Sequence, residues 1–154
     1  MKKIDYYRRL LGVEKKADLR ELKSSYRNLM KEYHPDKLQE DPEQNTEDGK
    51  RHAEEKSKKI IEAYHFLVSI APETIAESLD QYKDTINHAG IDDFHYKDEI
   101  LKIDFSDGNS YEYHGVPKNT YVNMVNAPAQ ARYARRHICF TYTYRSLSKL
   151  VASN

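Results

Sequence analysis

Between residues 19 and 33, apolar side chains recur at spacings of three and four: Leu19, Leu22, Tyr26, Leu29 and Tyr33. That period places them on one face of an α-helix. Arg20, Lys23, Arg27 and Lys31 keep the same period about a third of a turn away, so a basic stripe runs beside the apolar one. Asp18 is the expected N-cap. Pro35 ends the helix, because it lacks a donor N–H and drives the preceding residue out of the α region. The helical period resumes at Ala53, Ser57, Ile60, Tyr64 and Leu67, predicting a helix from about Lys50 to Ile70. A shorter helix is predicted over Asp5–Leu11, with Gly12 as its terminator. The polar, acidic run Leu38–Gly49 reads as a long loop. Pro72 breaks the long helix and suits the first position of another, Glu73 to about Thr85. That segment is acidic and only modestly amphipathic, and is expected to be a spacer.

After Gly90 the period changes to two. Ile91–Tyr96 is a candidate strand, and Ile100, Lys102, Ile103 and Phe105 form a second. Asp107-Gly108 is a tight-turn signal leading into Ser110–His114. Lys118–Asn126 reads as a short helix with Tyr121, Val122 and Val125 inward. A last strand is predicted over Ile138–Tyr144, with Ile138, Phe140, Tyr142 and Tyr144 on one face. The expected architecture is α+β: an all-α helical hairpin, then a small sheet-and-helix domain. The expected boundaries are 1–71, a helical spacer 72–88, and 89–150.

The chain has 154 residues, 38% hydrophobic and 32% charged, so its cores are expected to be small and its surfaces heavily charged. Its zero net charge conceals a segregation. Residues 1–31 hold ten Lys/Arg against four Asp/Glu, residues 72–112 hold eleven acids against three bases, and from Tyr113 onward there are six bases and no acid. Two electropositive working surfaces are therefore expected, one towards each end. No apolar run approaches a membrane span, and Met1-Lys2-Lys3-Ile4-Asp5 lacks the apolar stretch of a signal peptide. The lone cysteine, Cys139, excludes an internal disulfide framework and fits a reducing, cytoplasmic compartment. The seven histidines show no paired ligand spacing, so no metal site is expected. His137 and Cys139 share a predicted strand face, yet no third group is evident to orient a base. No enzyme and no cofactor are expected.

His34-Pro35-Asp36 follows the basic amphipathic helix directly. With Tyr6-Tyr7, Leu11-Gly12-Val13 and Glu62-Ala63-Tyr64, this pattern closely resembles the J-domain of the DnaJ family over roughly residues 5–70. The resemblance implies a helical hairpin presenting His34, Pro35 and Asp36 to a DnaK-type chaperone ATPase and triggering ATP hydrolysis there. It also implies that the α-helical basic face, carrying Lys23, Tyr26, Arg27 and Lys31, meets an acidic surface of that chaperone. Physically, Pro35 stiffens the segment, Asp36 offers a carboxylate to a partner arginine, and His34 can donate a hydrogen bond. Asn28 stands where many members carry a second base, and Ser57 where an aromatic is usual, which should loosen the hairpin core. One cysteine and five glycines exclude the paired-cysteine repeats and the Gly/Phe-rich tract of larger relatives.

Phe105, Gly108, Tyr111-Glu112-Tyr113, Val116-Pro117, Tyr133, His137-Ile138 and Tyr142 resemble the KTSC domain, a small module without an established function for which RNA binding has been suggested. Where many members have glycine before the aromatic, this chain reads Gln130-Ala131-Arg132-Tyr133. Aromatics interleaved with bases and free of acids are what a single-strand stacking surface requires. That reading selects Lys118, Arg132, Tyr133, Arg135 and Arg136, with Tyr111, Tyr113 and Tyr142 as stacking rings. The bland alternatives are that these tyrosines are core and that the arginines pair with the acidic stretch Glu73–Glu112. Three functions remain open at this level. The first is a co-chaperone whose C-terminal domain addresses it to a client or to RNA. The second is an RNA-binding adaptor with a degenerate J-like module. The third is a decoy that occupies a chaperone without productive coupling.

Overall fold

The computed structural model describes residues 2–33 and 46–147. The chain divides into two compact units, Lys2–Thr74 and Ile75 onward, each described by itself below.

The first unit holds helices α1 (Lys2–Leu11), α2 (Leu19–Tyr33) and α3 (Glu47–Ser69), with the start of α4 (Pro72–Glu77). Gly12 closes α1 at φ +71°, where its N–H reaches the Arg9 carbonyl and the Val13 N–H the Arg8 carbonyl. This is the reciprocal pair that a left-handed residue makes possible after a helix. Asp18 Oδ1 accepts the Glu21 N–H at 2.9 Å, capping α2 as expected. Helix α3 starts earlier than the periodicity indicated: Thr46 Oγ1 accepts the Gly49 N–H at 3.0 Å, so residues 47–49 form its first turn. The core gathers Ile4, Tyr7, Leu11, Leu22, Ile60, Ala63, Phe66 and Leu67, all buried. Of the two adjacent tyrosines it is Tyr7 that packs inside, against the Phe66 ring at 4.8 Å, while Tyr6 remains 43% exposed.

The second unit contains α5 (Leu79–His88), a four-stranded antiparallel sheet in the order β1 (Ile91–Lys97), β2 (Ile100–Phe105), β3 (Ser110–His114), β4 (Thr143–Ser146), and helices α6 (Lys118–Asn126) and α7 (Gln130–His137). Leu101, Ile103 and Phe105 of β2 and Tyr111 and Tyr113 of β3 fill one face, in register as Leu101↔Tyr113 and Ile103↔Tyr111. Period-two alternation puts Lys102, Glu112 and Arg145 on the other.

Three expectations are corrected here. The segment expected to be one helical spacer is two helices, and α5 belongs to the C-terminal core. Tyr82 is 0% exposed, and Thr85 and Ile86 are buried beside it. Its acidic residues face outward, while its few apolar positions fall on one stripe that covers the sheet. Next, the strand expected over Ile138–Tyr144 begins only at Thr143, because a helix precedes it. The Ile138 and Cys139 N–H groups both donate to the Ala134 carbonyl at 2.8 Å, closing α7, and consecutive burial of Ile138 and Cys139 is incompatible with alternation. Lastly, α6 buries Met124, whereas Val122 and Val125 are exposed. Tyr121 is half-buried, stacked on Tyr96 at 4.4 Å.

The β1–β2 hairpin turns through Asp98 (φ 52°) and Glu99 (φ 63°), both left-handed without being glycine. The Glu99 carbonyl holds this turn by accepting the Gly115 and Val116 N–H groups at 2.9 and 3.0 Å. A two-residue turn of this hand favours Asn-Gly. The double substitution Asp98→Asn/Glu99→Gly is therefore expected to stabilise the C-terminal unit by about 1 kcal/mol. The check is the midpoint of denaturant unfolding followed by tyrosine signal, and a lowered midpoint would contradict it.

Candidate functional site

Helix α2 carries the basic stripe because its other face is committed to the core through Leu22. Arg20, Lys23, Arg27 and Lys31 are all exposed, and none is in an ion pair among the described residues. Four unpaired cations one helical turn apart make a band of positive potential that a neutralised surface would lack. Tyr26 is half-buried: its ring stacks on Tyr64 of α3 at 4.2 Å and 16°. It braces the two helices.

The stripe leads towards His34, Pro35 and Asp36, which lie outside the described residues. What is fixed is the point of departure. Ser57 is buried on α3, and its hydroxyl donates to the Tyr33 carbonyl at 2.9 Å. Lys56 Nζ lies 5.4 Å from the centre of the Tyr33 ring. The serine in a usually aromatic position thus ties the last residue of α2 to α3 by a hydrogen bond. At the other end of α2, the Glu73 carboxylate accepts the Leu19 N–H at 3.2 and 3.3 Å, placing a negative charge at a helix N-terminus. Sequence periodicity had no means of finding either contact, since each links residues distant in the chain.

In the second unit, α7 gathers the arginines selected above for a single-strand stacking surface. Arg132 and Arg136, one turn apart, are exposed, Arg135 is half-buried, and none of the three is ion-paired among the described residues. Lys118, at the start of α6, is also exposed. Tyr133 and Tyr142 are half-buried, Tyr133 with its ring 4.5 Å from that of His137. Tyr111 and Tyr113 are core residues, at 3% and 0% exposure, which removes them as stacking rings.

Both rings pack in the apolar core, and the buried Tyr113 hydroxyl is satisfied within an internal relay. Tyr82 donates to the Cys139 carbonyl, and Tyr113 lies 3.0 Å from the Tyr82 oxygen, where it can donate, with Cys139 Sγ a second acceptor at 3.4 Å. Burial raises both phenols well above their ordinary range, and pushes the Cys139 thiol up to about 11. The thiol is therefore held protonated, and as a buried thiol it is inert as a nucleophile.

A polar set on the opposite sheet face escaped the sequence reading. Glu112 Oε1 is 2.8 Å from His114 Nε2 and 3.3 Å from Arg145 Nη1. Burial alone would raise the Glu112 carboxyl, but the hydrogen bond and charge of His114 and the Arg145 guanidinium bring it below its ordinary value. Strand alternation puts Glu112 and His114 on one face, but Arg145 joins them only through the register of β3 with β4, which no local pattern supplies. Among the described residues, no three His, Cys, Asp or Glu side chains converge on a common point, and no helix is long and apolar enough to cross a membrane.

A helical hairpin whose basic face has no ion pair among the described residues, followed in sequence by His-Pro-Asp, fits one class: residues 5–73 match the DnaJ domain. Residues 89–142 match the KTSC domain, so this chain joins a DnaJ domain to a KTSC domain. The chain is 39% identical over 107 residues to the chaperone protein DnaJ of Methanothermobacter thermautotrophicus, covering 70% of this chain and 24% of that protein. It is 43% identical over 96 residues to the chaperone protein DnaJ of Halothermothrix orenii, covering 61% of this chain and 21% of the relative. The matched regions thus span about a quarter or less of these relatives' own length.

Proposed function

We propose that this protein is a non-enzymatic co-chaperone that binds a DnaK-type chaperone through Lys23, Tyr26, Arg27, Lys31 and His34-Pro35-Asp36 and stimulates its ATPase. The observation that carries the reading is the exposed stripe on α2, four cations without an intramolecular partner among the described residues, leading into that tripeptide within a DnaJ domain. The C-terminal unit supplies the address that directs the pair to a client. The proposed compartment is the cytoplasm, in keeping with one buried, unpaired cysteine.

If the stripe steers encounter, association must be sensitive to salt, because exposed charges are screened over about 8–10 Å near physiological ionic strength. The double substitution Lys23→Ala/Arg27→Ala is expected to lower the association rate about three- to tenfold at low salt, with a smaller change in dissociation. Stopped-flow mixing with the chaperone at two ionic strengths measures both rates. An association rate indifferent to salt and to the double substitution would reduce the stripe to solvated surface.

A second reading, single-stranded RNA binding through Lys118, Arg132, Tyr133, Arg135, Arg136 and Tyr142, is supported by the exposed arginines of α7. The burial of Tyr111 and Tyr113 weakens it, because stacking on aromatic rings supplies much of the affinity of such sites.

A further inference from the structure

Tyr7 takes the inward place on α1, which leaves Tyr6 as the exposed large apolar residue of the helical unit among the described residues. Tyr6, Arg9 and Leu10 stand at spacings of three and four, on one face of α1. His52, Glu55, Lys56 and Lys59 keep the same spacing on α3. These two faces line a groove of about 440 Å³, contained wholly within the first unit. A volume of that size lies within the range of about 300–1,000 Å³ common to ligand sites.

Charge is unevenly distributed along this groove. Arg9 and Lys59 are exposed, and neither is in an ion pair among the described residues. Lys56 is half-buried and already engaged, its Nζ lying over the Tyr33 ring. Glu55 is the one acid in the lining, against the three bases Arg9, Lys56 and Lys59. A carboxylate entering the groove therefore meets walls of net positive charge. Beside Arg9 on the same wall are the Tyr6 ring and the half-buried Leu10, apolar surface on which a ligand side chain can be buried. His52 and Lys59 are seven residues apart, about 10 Å along the helix axis, so the polar wall is extended. A compact anion is held by donors that converge on it, whereas an extended wall matches carboxylates spaced along a chain.

We infer that the α1–α3 groove docks a short acidic peptide segment, with an aromatic or aliphatic side chain against Tyr6 and Leu10 and carboxylates beside Arg9 and Lys59. Tyrosine and arginine are among the residue types that carry most of the binding energy at such surfaces. The groove shares no residue with the stripe on α2 or with His34-Pro35-Asp36, so its occupation is separate from chaperone coupling. ATPase stimulation without peptide binding would remove this inference and leave the proposed function standing.

The test uses the full chain and a fluorescein-labelled peptide of about ten residues, glutamate throughout except for a central leucine–phenylalanine pair. Fluorescence anisotropy is expected to show saturable binding that weakens as salt is added. The double substitution Arg9→Glu/Lys59→Glu is expected to weaken binding at least about tenfold, because two attractions become two repulsions. Lys83→Glu/Lys97→Glu makes the same change in net charge at exposed positions outside the groove, and should stay within about twofold of wild type. Tyr6→Ser should weaken binding about fivefold through lost apolar contact, and so should serines in place of the peptide's central pair. Far-UV circular dichroism and the thermal midpoint report whether each variant folds. If Arg9→Glu/Lys59→Glu does not, Tyr6→Ser and the two peptides on the wild-type protein decide the matter. Absence of binding, an equal loss in both charge-reversed pairs, or indifference to Tyr6→Ser and to the serine peptide would overturn the inference. So would displacement by a single-stranded oligonucleotide of equal charge, or a dimer in sedimentation velocity that the peptide dissociates, which would make a second copy the occupant.

Discussion

Replacing His34 by glutamine is expected to abolish the acceleration of ATP hydrolysis that this chain gives a DnaK-type chaperone, while leaving its fold intact. The tripeptide follows a helix whose last carbonyl, that of Tyr33, is held by the Ser57 hydroxyl. The substitution leaves that anchor untouched. Glutamine keeps a donor of similar size but not the imidazole's geometry or its capacity to carry charge. A polar-for-polar exchange is expected to change unfolding free energy by no more than about 0.5 kcal/mol. Single-turnover hydrolysis with wild-type and substituted protein at equal concentration measures the effect. Equal acceleration by both would remove His34 from the mechanism, and a large fall in thermal midpoint would show that the loss is one of folding.

Replacing Tyr82 by alanine should unfold the C-terminal unit while leaving the helical unit folded. Tyr82 is fully buried, stacks on Tyr144, meets Tyr111 and Phe140 edge-on, and donates to the Cys139 carbonyl. Truncating a buried aromatic costs about 3–5 kcal/mol. Here the change also takes the Tyr82 donor from the buried Cys139 carbonyl and leaves the Tyr113 hydroxyl with the Cys139 sulfur alone, which adds the cost of a buried polar group left unsatisfied. A domain with a stability of about 5–10 kcal/mol has little left after that. Denaturation followed by near-ultraviolet circular dichroism should lose the transition of the tyrosine-rich unit, and the far-ultraviolet helical signal should keep its own. A destabilisation below about 1 kcal/mol would place α5 outside the core, as a spacer would be.

The helical hairpin was legible because each of its helices has a periodic apolar face and local stop signals, Gly12 and Pro35 among them. The same local signals exposed Lys118–Asn126 and the Asp107-Gly108 turn. They failed where packing between distant segments decides. Residues 79–88 carry a short apolar stripe, Leu79, Tyr82 and Ile86, and nothing local in the sequence tells which surface that stripe covers. Ile138, Phe140, Tyr142 and Tyr144 alternate in sequence, yet the Ala134 carbonyl captures two successive N–H groups and coils the first of them into a helix end. The candidate site was read as residue types on a helix face, and that reading placed Lys23, Arg27 and Lys31 on an exposed stripe. It had no access to Ser57 as an anchor for Tyr33, to the Glu112–His114–Arg145 set, or to the burial of Tyr111 and Tyr113, because burial and pairing are properties of the whole fold.

Coupling to a chaperone ATPase is the centre of this account, and single-turnover hydrolysis by a DnaK-type chaperone at increasing concentrations of the intact wild-type chain tests it most directly. The account predicts a rate that rises and saturates, with a half-saturating concentration that increases as salt is added. A rate that stays flat across the titration, under conditions where binding is demonstrated independently, would contradict it and leave a chain that occupies the chaperone without driving it.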